Sequence, residues 1–372
     1  MVGHESRKVL SEFHTCCGEK DIFRPLPSMV DLIALFKHPT KLRILVAPLD
    51  WGLGHATRCV PLIKAALQAG HEVVLAADRS PLALLQKEFP GLELIRLKGY
   101  EISYPSNGSM IFSMALQLPK LGSRVIEENF RIRSIVKSHN IDWVISDNRY
   151  GLFGHAEKSI FITHQLHIKT GFLETIFNAI NRWFIQRFDE CWVPDWESEP
   201  SLAGELSHPT SALNKLRYLG PLSRFSKLER TNESYNLTIL ISGPEPQRSM
   251  FENKVVQQLD SSFGRVALIR GLPLEDSSLV LPENVRCYNH LPDKELNQIL
   301  VDSDLILSRP GYSTVMDLVT LKKKAIFVPT PGQTEQEYLA QGFHDKKIAP
   351  FQTQDQFNLK ALQNSVNHYQ GF

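Results

Sequence analysis

The chain has 372 residues, of which 42% are hydrophobic, and its 41 basic and 40 acidic side chains leave a net charge of +1. This length suffices for two domains of ordinary size, and the near-neutral balance argues against a nucleic-acid-binding protein. The five cysteines follow no repeated spacing. The sequence therefore predicts neither a zinc site nor a disulfide framework and is typical of a cytoplasmic protein.

The first 40 residues lack a clear periodicity and also lack the apolar core of a secretory signal. They are predicted to form a poorly ordered extension, within which only residues 29–36 have the pattern of a short helix. Nowhere does the chain contain the run of about 18 apolar residues that a membrane-spanning helix needs.

From residue 43 onward, apolar runs of strand length alternate with amphipathic runs of helix length. In the first half, strands are predicted at 43–48, 71–78, 92–97, 141–147, 159–165 and 190–195, and helices at 58–70, 80–89, 123–140 and 171–188. In the second half, strands are predicted at 237–242, 265–270, 285–291, 304–308 and 324–330, and helices at 248–260, 293–303, 314–323 and 356–370.

Such alternation produces parallel sheets covered by helices on both faces. The sequence therefore predicts an α/β protein with two tandem Rossmann-like domains and an interdomain cleft. The N-terminal domain is assigned to residues 41–222 and the C-terminal domain to 236–350, and residues 351–372 are expected to form a helix that packs back on the N-terminal domain. Ligands of such folds bind beyond the carboxyl ends of the strands, so the cleft is the expected site.

The loop LDWGLGHATR, residues 49–58, follows the first strand. Gly52 and Gly54 permit a tight turn and a close approach of a ligand, and the helix that follows favours an anion at its N-terminus. His55 is a candidate base for a hydroxyl group or a phosphate ligand. A dinucleotide fingerprint would need a third glycine where the chain has Thr57, so no nicotinamide cofactor is expected. The alternative is a plain strand-to-helix turn.

Two further strands of the first half end in polar residues. Asp147 and Arg149 lie in SDNRYG, and His164 lies in THQ. Asp147 competes with His55 for the role of general base, whereas Arg149 and His164 are candidate acceptor ligands. The alternative for each is a hydrogen-bonded loop.

Three loops of the second half follow predicted strands and carry groups suited to a nucleotide sugar. Small residues, hydroxyls and arginines favour a diphosphate, and acidic or amide side chains suit ribose or sugar hydroxyls. The residues concerned are Gly243, Arg248, Arg309, Gly311, Ser313, Thr314, Asp317, Glu335 and Gln336. The pair Asp302 and Asp304 is rejected as a metal site because it precedes its strand, away from the cleft.

The segments SRPGYSTVMDL, KKKAIFVPTPGQTEQEYLA and DWGLGHATR together resemble the GT-B glycosyltransferases of family 28, which include the lipid-linked N-acetylglucosaminyltransferase of peptidoglycan synthesis. The resemblance covers about residues 41–350. WGLGHATR, SDNRYG and FITHQ are similar to an uncharacterised bacterial branch.

This resemblance implies a UDP-sugar in the C-terminal domain. Gly243, Arg248 and the segment from Gly311 to Thr314 would lie near the phosphates, and the backbone at His290 and Leu291 would face the uracil. Asp317 stands where the family has a longer glutamate for the ribose. Glu335 and Gln336 stand where the relative has two glutamines, which leaves the sugar open.

The expected function is transfer of a hexose from a UDP-sugar, such as UDP-N-acetylglucosamine, to a lipid-linked or glycan acceptor. No metal or other cofactor is expected, and direct attack would invert the anomeric centre. The apolar segments 110–121 and 171–188 are candidates for peripheral contact with the inner face of a membrane. A UDP-sugar 2-epimerase and a non-catalytic nucleotide-sugar-binding protein remain as alternatives.

Overall fold

The computed structural model describes residues 23–100, 110–171, 174–209, 213, 215–272 and 278–372. Within these ranges the strands are β1 (Arg43–Pro48), β2 (Glu72–Ala77), β3 (Glu93–Arg96), β4 (Trp143–Asp147), β5 (Lys158–Ile162), β6 (Glu190–Val193), β7 (Leu216–Tyr218), β8 (Leu237–Leu240), β9 (Val266–Ile269), β10 (Val285–Tyr288), β11 (Leu305–Ser308) and β12 (Lys324–Phe327). The helices are α1 (Met29–Ala34), α2 (Gly54–Gln68), α3 (Arg79–Glu88), α4 (Met110–Ser138), α5 (Glu174–Ile185), α6 (Gln247–Val256), α7 (Asp293–Asp302), α8 (Tyr312–Leu321), α9 (Thr334–Asp345) and α10 (Leu359–Ser365).

The strands form two parallel sheets, one after the other along the chain. The first has the order β3-β2-β1-β4-β5-β6-β7, and the second has the order β10-β9-β8-β11-β12. In each sheet the chain reverses its direction of winding beside the first strand, β1 or β8, which creates a crevice at the carboxyl ends of the central strands. The predicted α/β class with two Rossmann-like bodies is confirmed.

The central strands are apolar throughout because both of their faces are covered by helices. Strand β4 is buried along its whole length, and it pairs with β1 in a register that sets Pro48 opposite Asp147. The polar carboxylate of Asp147 therefore emerges at the carboxyl edge of the sheet, next to the loop that follows β1.

Helices α2 and α8 pack against each other and join the two sheets. Ile63 of α2 and Met316 of α8 belong to one hydrophobic core, and both are fully buried. The carboxyl edges of the two sheets consequently face a common region.

The prediction of a poorly ordered extension is wrong for residues 23–40. Helix α1 begins with a capping box, in which the Ser28 side chain accepts from the Asp31 backbone while Asp31 accepts from the Ser28 backbone. Phe36 is 1% exposed, and its ring meets Trp192 edge to face at 5.8 Å between centroids. This segment completes the core of the first domain. Residues 1–22 lie outside the described residues.

The prediction that the C-terminal helix packs back on the N-terminal domain is also wrong. Leu359 and Leu362 of α10 are buried in the core of the second sheet, together with Phe251 of α6. The apolar stripe of the helix therefore faces its own domain. Among the described residues, the end of the tail reaches back, where Phe372 stacks on Phe23 with 6.2 Å between ring centroids.

Two local features differ from the predicted elements. Strand β7 lies in a segment that carries no strong strand pattern, and it is added to the edge of the first sheet by pairing with β6. The apolar segment 110–121 lies within α4, which begins at Met110 and not at residue 123 as predicted. Segment 171–188, which was predicted as a helix, largely forms α5. Across the described ranges, no helix has the length and apolar character needed to cross a membrane.

Truncation of Phe36 tests whether residues 23–40 stabilise the first domain. Phe36→Ala should lower the free energy of unfolding by about 3–5 kcal/mol, because it leaves a cavity against Trp192. Urea unfolding followed by tryptophan fluorescence measures the change. Val30→Ala on α1 is the control, since Val30 is 74% exposed and its truncation should cost less than about 0.5 kcal/mol. Equal effects of the two substitutions would contradict the assignment.

Candidate active site

The loop after β1 leads directly into α2. Gly52 has a φ of 85°, which other residues adopt only with strain, and α2 begins two residues later at Gly54. The residue that precedes the helix, Leu53, supplies no side-chain cap. The first N–H groups of α2 therefore point toward the cleft without an internal acceptor.

His55, Arg58 and Asp147 form one buried network at the start of α2. His55 Nδ1 lies 2.6 Å from Asp147 Oδ1, and Arg58 donates to both oxygens of the same carboxylate. Asp147 is fully buried, whereas 15% of the His55 side chain is exposed. Only His55 of this group can therefore meet a ligand from the cleft.

The charges of this network set the protonation of its members. Burial would raise the pKa of Asp147, but the charges of Arg58 and His55 outweigh it and lower the pKa to about 2. Burial, and then the charge of Arg58, lower the pKa of His55 below its ordinary value. His55 Nδ1 also lies 2.8 Å from Arg58 Nη2. In the neutral tautomer that donates from Nδ1 to the Asp147 carboxylate, Nε2 is left as a proton acceptor.

The N-terminus of α8 meets the N-terminus of α2. Gly311 precedes α8 without a side-chain cap, and Ser313 Oγ donates to the Gly54 carbonyl at 2.9 Å. A Cβ atom on Gly54 would lie 2.7 Å from Ser313 Oγ, so the close approach requires glycine. Two helix N-termini, each with a positive dipole end, converge on the same part of the cleft and favour an anion there.

His164 and Glu335 link the two domains across this region. The His164 ring stacks on Tyr312 with 3.9 Å between centroids, and its Nε2 lies 2.7 Å from Glu335 Oε1. The other oxygen of Glu335 accepts from Gln165. Burial would raise the pKa of Glu335, but His164 and Arg58 lower it below its usual value, so the bridging group is a carboxylate.

Unpartnered hydroxyls mark the carboxyl edge of the second sheet. Ser308 Oγ at the end of β11 and Thr330 Oγ1 beyond β12 are buried and have no hydrogen-bond partner among the described residues. A Cβ atom on Gly243 would lie 3.6 Å from Thr330 Oγ1, and Gly243 has a φ of 115°. Gln336 orders the adjoining loop by accepting from the Thr330 backbone N–H at 2.8 Å. Buried hydroxyls of this kind ordinarily find a polar partner.

Asp317 lies on the second turn of α8, facing the segment that connects the domains. It accepts a hydrogen bond from Ser223 Oγ at 2.5 Å. Burial raises its pKa to about 7 despite the nearby charge of Arg224. At neutral pH the side chain is therefore poised between its two protonation states. Thr314 lies one turn nearer the start of α8 and is half-buried.

His290 and Leu291 have different environments after β10. His290 is partly exposed, and burial together with Lys87 and Arg224 lowers its pKa. Lys87 belongs to the first domain, so His290 lies at the rim of the cleft. The Leu291 side chain is buried with Tyr235 and Ile269, which leaves only its backbone to face a ligand.

Three of the predicted ligand-binding arginines have guanidinium groups that are buried and bonded within the protein. Arg149 is fully buried and pairs with Glu128 at 2.6 Å. Arg248 is 6% exposed and pairs with Glu252 at 2.9 Å. The terminal nitrogens of Arg309 donate to the Val328 carbonyl at 2.8 Å and to Gln354 at 2.5 Å. All three hold loops in place.

Sequence reasoning also missed residues of the site. Arg58 follows His55 by three positions on α2, a spacing that sets both side chains on one face, so GHATR carried a usable signal. Tyr312 and Gln165 lie beside predicted residues but gave no signal, because their roles depend on contacts between the domains.

Comparison with known proteins finds a family match within the second half. Residues 278–370 match the glycosyltransferase family 28 C-terminal domain. An uncharacterized glycosyltransferase of Methanosarcina acetivorans is 24% identical over 320 residues, which cover 80% of this chain and 82% of that protein.

Solved structures show the same fold over nearly the whole chain. The glycotransferase of kitacinnamycin has a TM-score of 0.61 at 16% identity and covers 88% of this chain and 90% of its own. The spinosyn rhamnosyltransferase SpnG complexed with thymidine diphosphate has a TM-score of 0.58 at 14% identity, with 88% and 92% covered. The chain therefore has the α/β fold of GT-B glycosyltransferase structures, and its residues 278–370 match the glycosyltransferase family 28 C-terminal domain.

Proposed function

We propose that the protein transfers a hexose from a UDP-sugar, UDP-N-acetylglucosamine or a related donor, to a lipid-linked or glycan acceptor with inversion and without a metal. The observation that carries this proposal is the convergence of the N-termini of α2 and α8 beside the His55–Asp147 pair. One arrangement thereby offers positive dipole ends for a departing diphosphate and a neutral imidazole for an attacking hydroxyl.

The acceptor hydroxyl would be activated by His55. Its oxygen would attack the anomeric carbon while its proton passes to His55 Nε2, and the bond from that carbon to the diphosphate oxygen would break. Asp147 would act as a positioning residue, because it is fully buried behind His55 and holds the ring through Nδ1. A single displacement of this kind inverts the anomeric centre.

The donor would lie along the carboxyl edge of the second sheet. The α8 N-terminus at Gly311, Ser313 and Thr314 would take the diphosphate, whose charge the helix dipole favours. Gly243 leaves room for a close backbone approach, and the unpartnered Ser308 and Thr330 hydroxyls offer further hydrogen bonds. SpnG, which has the same fold, is complexed with thymidine diphosphate, and this supports a nucleoside diphosphate as the class of ligand.

Asp317 and Glu335 would accept hydrogen bonds from the hydroxyl groups of the donor. Asp317 would accept from the ribose in place of its present donor, Ser223. Glu335 would exchange its bonds to His164 and Gln165 for bonds to sugar hydroxyls. Donor binding would thereby compete with the contact that links the domains.

A lipid-linked acceptor is supported by an exposed apolar stripe on α5. Ile176, Ile180 and Trp183 follow helical spacing and are 56%, 39% and 51% exposed. The neighbouring Phe184 and Trp51 of the glycine-rich loop both pack against the cluster of Leu49, Tyr100 and Val125. The stripe therefore lies on the helix that supports the acceptor side of the cleft and would rest on a membrane surface.

Substitution of His55 tests the assignment of the base. His55→Ala should reduce the rate of UDP release from UDP-N-acetylglucosamine, with an acceptor panel present, by about 10²–10⁴-fold. Because the pKa of His55 is lowered, the acid limb of the wild-type pH–rate profile should lie below pH 6.5 and disappear in the variant. His155→Ala removes an exposed histidine elsewhere in the first domain and is the control. Full turnover by both His55→Ala and Asp147→Asn would refute the mechanism.

Asp317 predicts a pH-dependent donor affinity. Its pKa of about 7 means that the carboxylate, the stronger acceptor for ribose hydroxyls, forms as the pH rises from 6 to 8. The affinity for UDP-N-acetylglucosamine, whose doubly esterified diphosphate keeps a constant charge, should rise up to about tenfold over this range. Isothermal titration calorimetry with Asp317→Asn should show weaker binding that no longer varies with pH. A steep pH dependence that persists in the variant would place the titrating group elsewhere.

The α5 stripe predicts membrane binding. Vesicles that contain an anionic lipid should sediment the wild-type protein at low salt, and Ile176→Ser with Trp183→Ser should weaken this binding about tenfold or more. Val30→Ser is the matched control, because Val30 is 74% exposed on α1, outside the stripe. A wild-type protein that stays in the supernatant would exclude the membrane contact.

A further inference from the structure

Asp50 and Trp51 lie in the turn between β1 and α2. The Gly52 backbone N–H closes this turn by donating to the Asp50 carbonyl at 3.0 Å. Both side chains are half-buried. They lie at the carboxyl end of β1, the edge of the sheet at which ligands of this fold bind. Neither of them takes part in the hydroxyl activation proposed for His55.

The Asp50 carboxylate is positioned by contact with Gly99. A Cβ atom on Gly99 would lie 1.9 Å from Oδ2 and 2.2 Å from Oδ1, so the carboxylate fills the space that a side chain there would need. Oδ1 is buried and has no hydrogen-bond partner among the described residues. Buried polar atoms ordinarily find a partner, because their removal from water is costly. Oδ1 is therefore an available hydrogen-bond acceptor.

Trp51 offers the complementary group. Its Nε1 is buried and also lacks a hydrogen-bond partner within the part of the chain that the structure describes. The side chain packs against the buried cluster that contains Tyr100, and Tyr100 directly follows Gly99. Asp50 and Trp51 consequently contact the same short segment of the chain, one as an acceptor and the other as a donor.

The same cluster connects these two side chains to the candidate base. Tyr150, which follows Asp147 by three positions, also packs against it, and the Tyr150 backbone N–H donates to Tyr100 Oη at 2.7 Å. The loop after β1 carries Trp51 and leads to His55, whereas the loop after β4 follows Asp147. The unpartnered groups therefore lie on the side of the cleft that is assigned to the acceptor.

The two groups together define the chemistry of a ligand. A ligand that satisfies both must donate to Asp50 Oδ1 and accept from Trp51 Nε1. A sugar hydroxyl can do both, and two neighbouring hydroxyls or an acetamido group can share the two bonds. A phosphate would be repelled by the carboxylate, and an ammonium group could not accept from the indole. The pair therefore favours a neutral ligand that carries hydroxyl or amide groups.

We propose that Asp50 and Trp51 bind a neutral sugar ring of the acceptor, which makes the acceptor a glycan. The role in acceptor binding rests on the proposed function, whereas the preference for a neutral sugar rests on the two unpartnered groups. One hydroxyl of the ring would donate to Asp50, another would accept from Trp51, and the attacking hydroxyl would be presented to His55. Asp50 and Trp51 would thereby determine acceptor specificity without moving a proton themselves.

Acceptor kinetics of the full chain test the proposal. The methyl glycosides of glucose, galactose, mannose and N-acetylglucosamine serve as acceptors with saturating UDP-N-acetylglucosamine, and UDP release is measured. At least one glycoside should raise the rate of the wild type. Asp50→Asn keeps the shape beside Gly99 but removes the charge, and it should raise the KM for that glycoside about tenfold. Trp51→Phe keeps a ring without the N–H and should raise this KM about two- to tenfold.

A selective effect distinguishes binding from a structural role. Because these contacts bind the acceptor before and during transfer alike, kcat and the donor affinity should stay within about twofold of the wild type. Asp355→Asn is the matched control, since it makes the same chemical change on a side chain that is 92% exposed in the second domain. Its acceptor KM should equal that of the wild type. Saturation-transfer difference NMR of the same glycosides with UDP present measures acceptor binding without turnover.

Three results would overturn the proposal. The first is an acceptor KM that Asp50→Asn leaves unchanged, and the second is an equal loss of donor and acceptor affinity in that variant. The third is turnover with geranyl phosphate but with no methyl glycoside, which would assign the acceptor to a lipid phosphate. UDP-N-acetylglucosamine is consumed in all three cases, so the proposed function would stand while the sugar site fails. A wild-type protein that does not consume this donor would instead refute the proposed function, and glycoside binding that Asp50→Asn abolishes would still support the sugar site.

Discussion

The candidate active-site region depends on one buried ion pair. Arg58 donates to both oxygens of Asp147, and the fully buried carboxylate also holds His55. Loss of either charged partner would leave the other without compensation in the interior, which typically costs 3–5 kcal/mol. The pair therefore fixes the start of α2 against the end of β4 and sets the direction of the imidazole. The same interaction thus serves both the fold and the candidate chemistry.

The second constraint is the contact of α2 with α8. Helix N-termini repel each other through their dipoles, yet Gly54 and Ser313 meet at hydrogen-bond distance because glycine leaves no side chain between them. The shared core around Ile63 and Met316 holds the helices in this position. A diphosphate between them would be stabilised from both domains. The Glu335 bridge to His164 and Gln165 occupies part of this cleft and offers a simple means by which a sugar could alter domain contact.

Much of the fold could be predicted because buried parallel strands leave continuous apolar runs, and RILVAP and WVISD are both of this kind. The errors arose where local pattern was weak. Phe36 belongs to the core because it packs against Trp192, which is distant in sequence. The apolar stripe of α10 would suit either domain, and the surface that covers it is formed by α6 of the second domain. Of the site, His55 and Asp147 were predictable from their positions after strands. The buried partners of Arg149, Arg248 and Arg309 could not be predicted, because the sequence does not show which arginines form such contacts.

The sequence by itself determined the two-domain α/β class, the strand ends that carry the candidate site residues, and the resemblance of the second half to family 28. It could do so because the periodicity of apolar residues, the positions of glycines and the spacing of motif residues are local properties of the chain. Tertiary structure alone decided that Arg58 pairs with Asp147 and that Glu335 reaches His164. These contacts join residues that lie far apart in sequence, and the crossing of strands and helices, rather than any local pattern, brings their charges together.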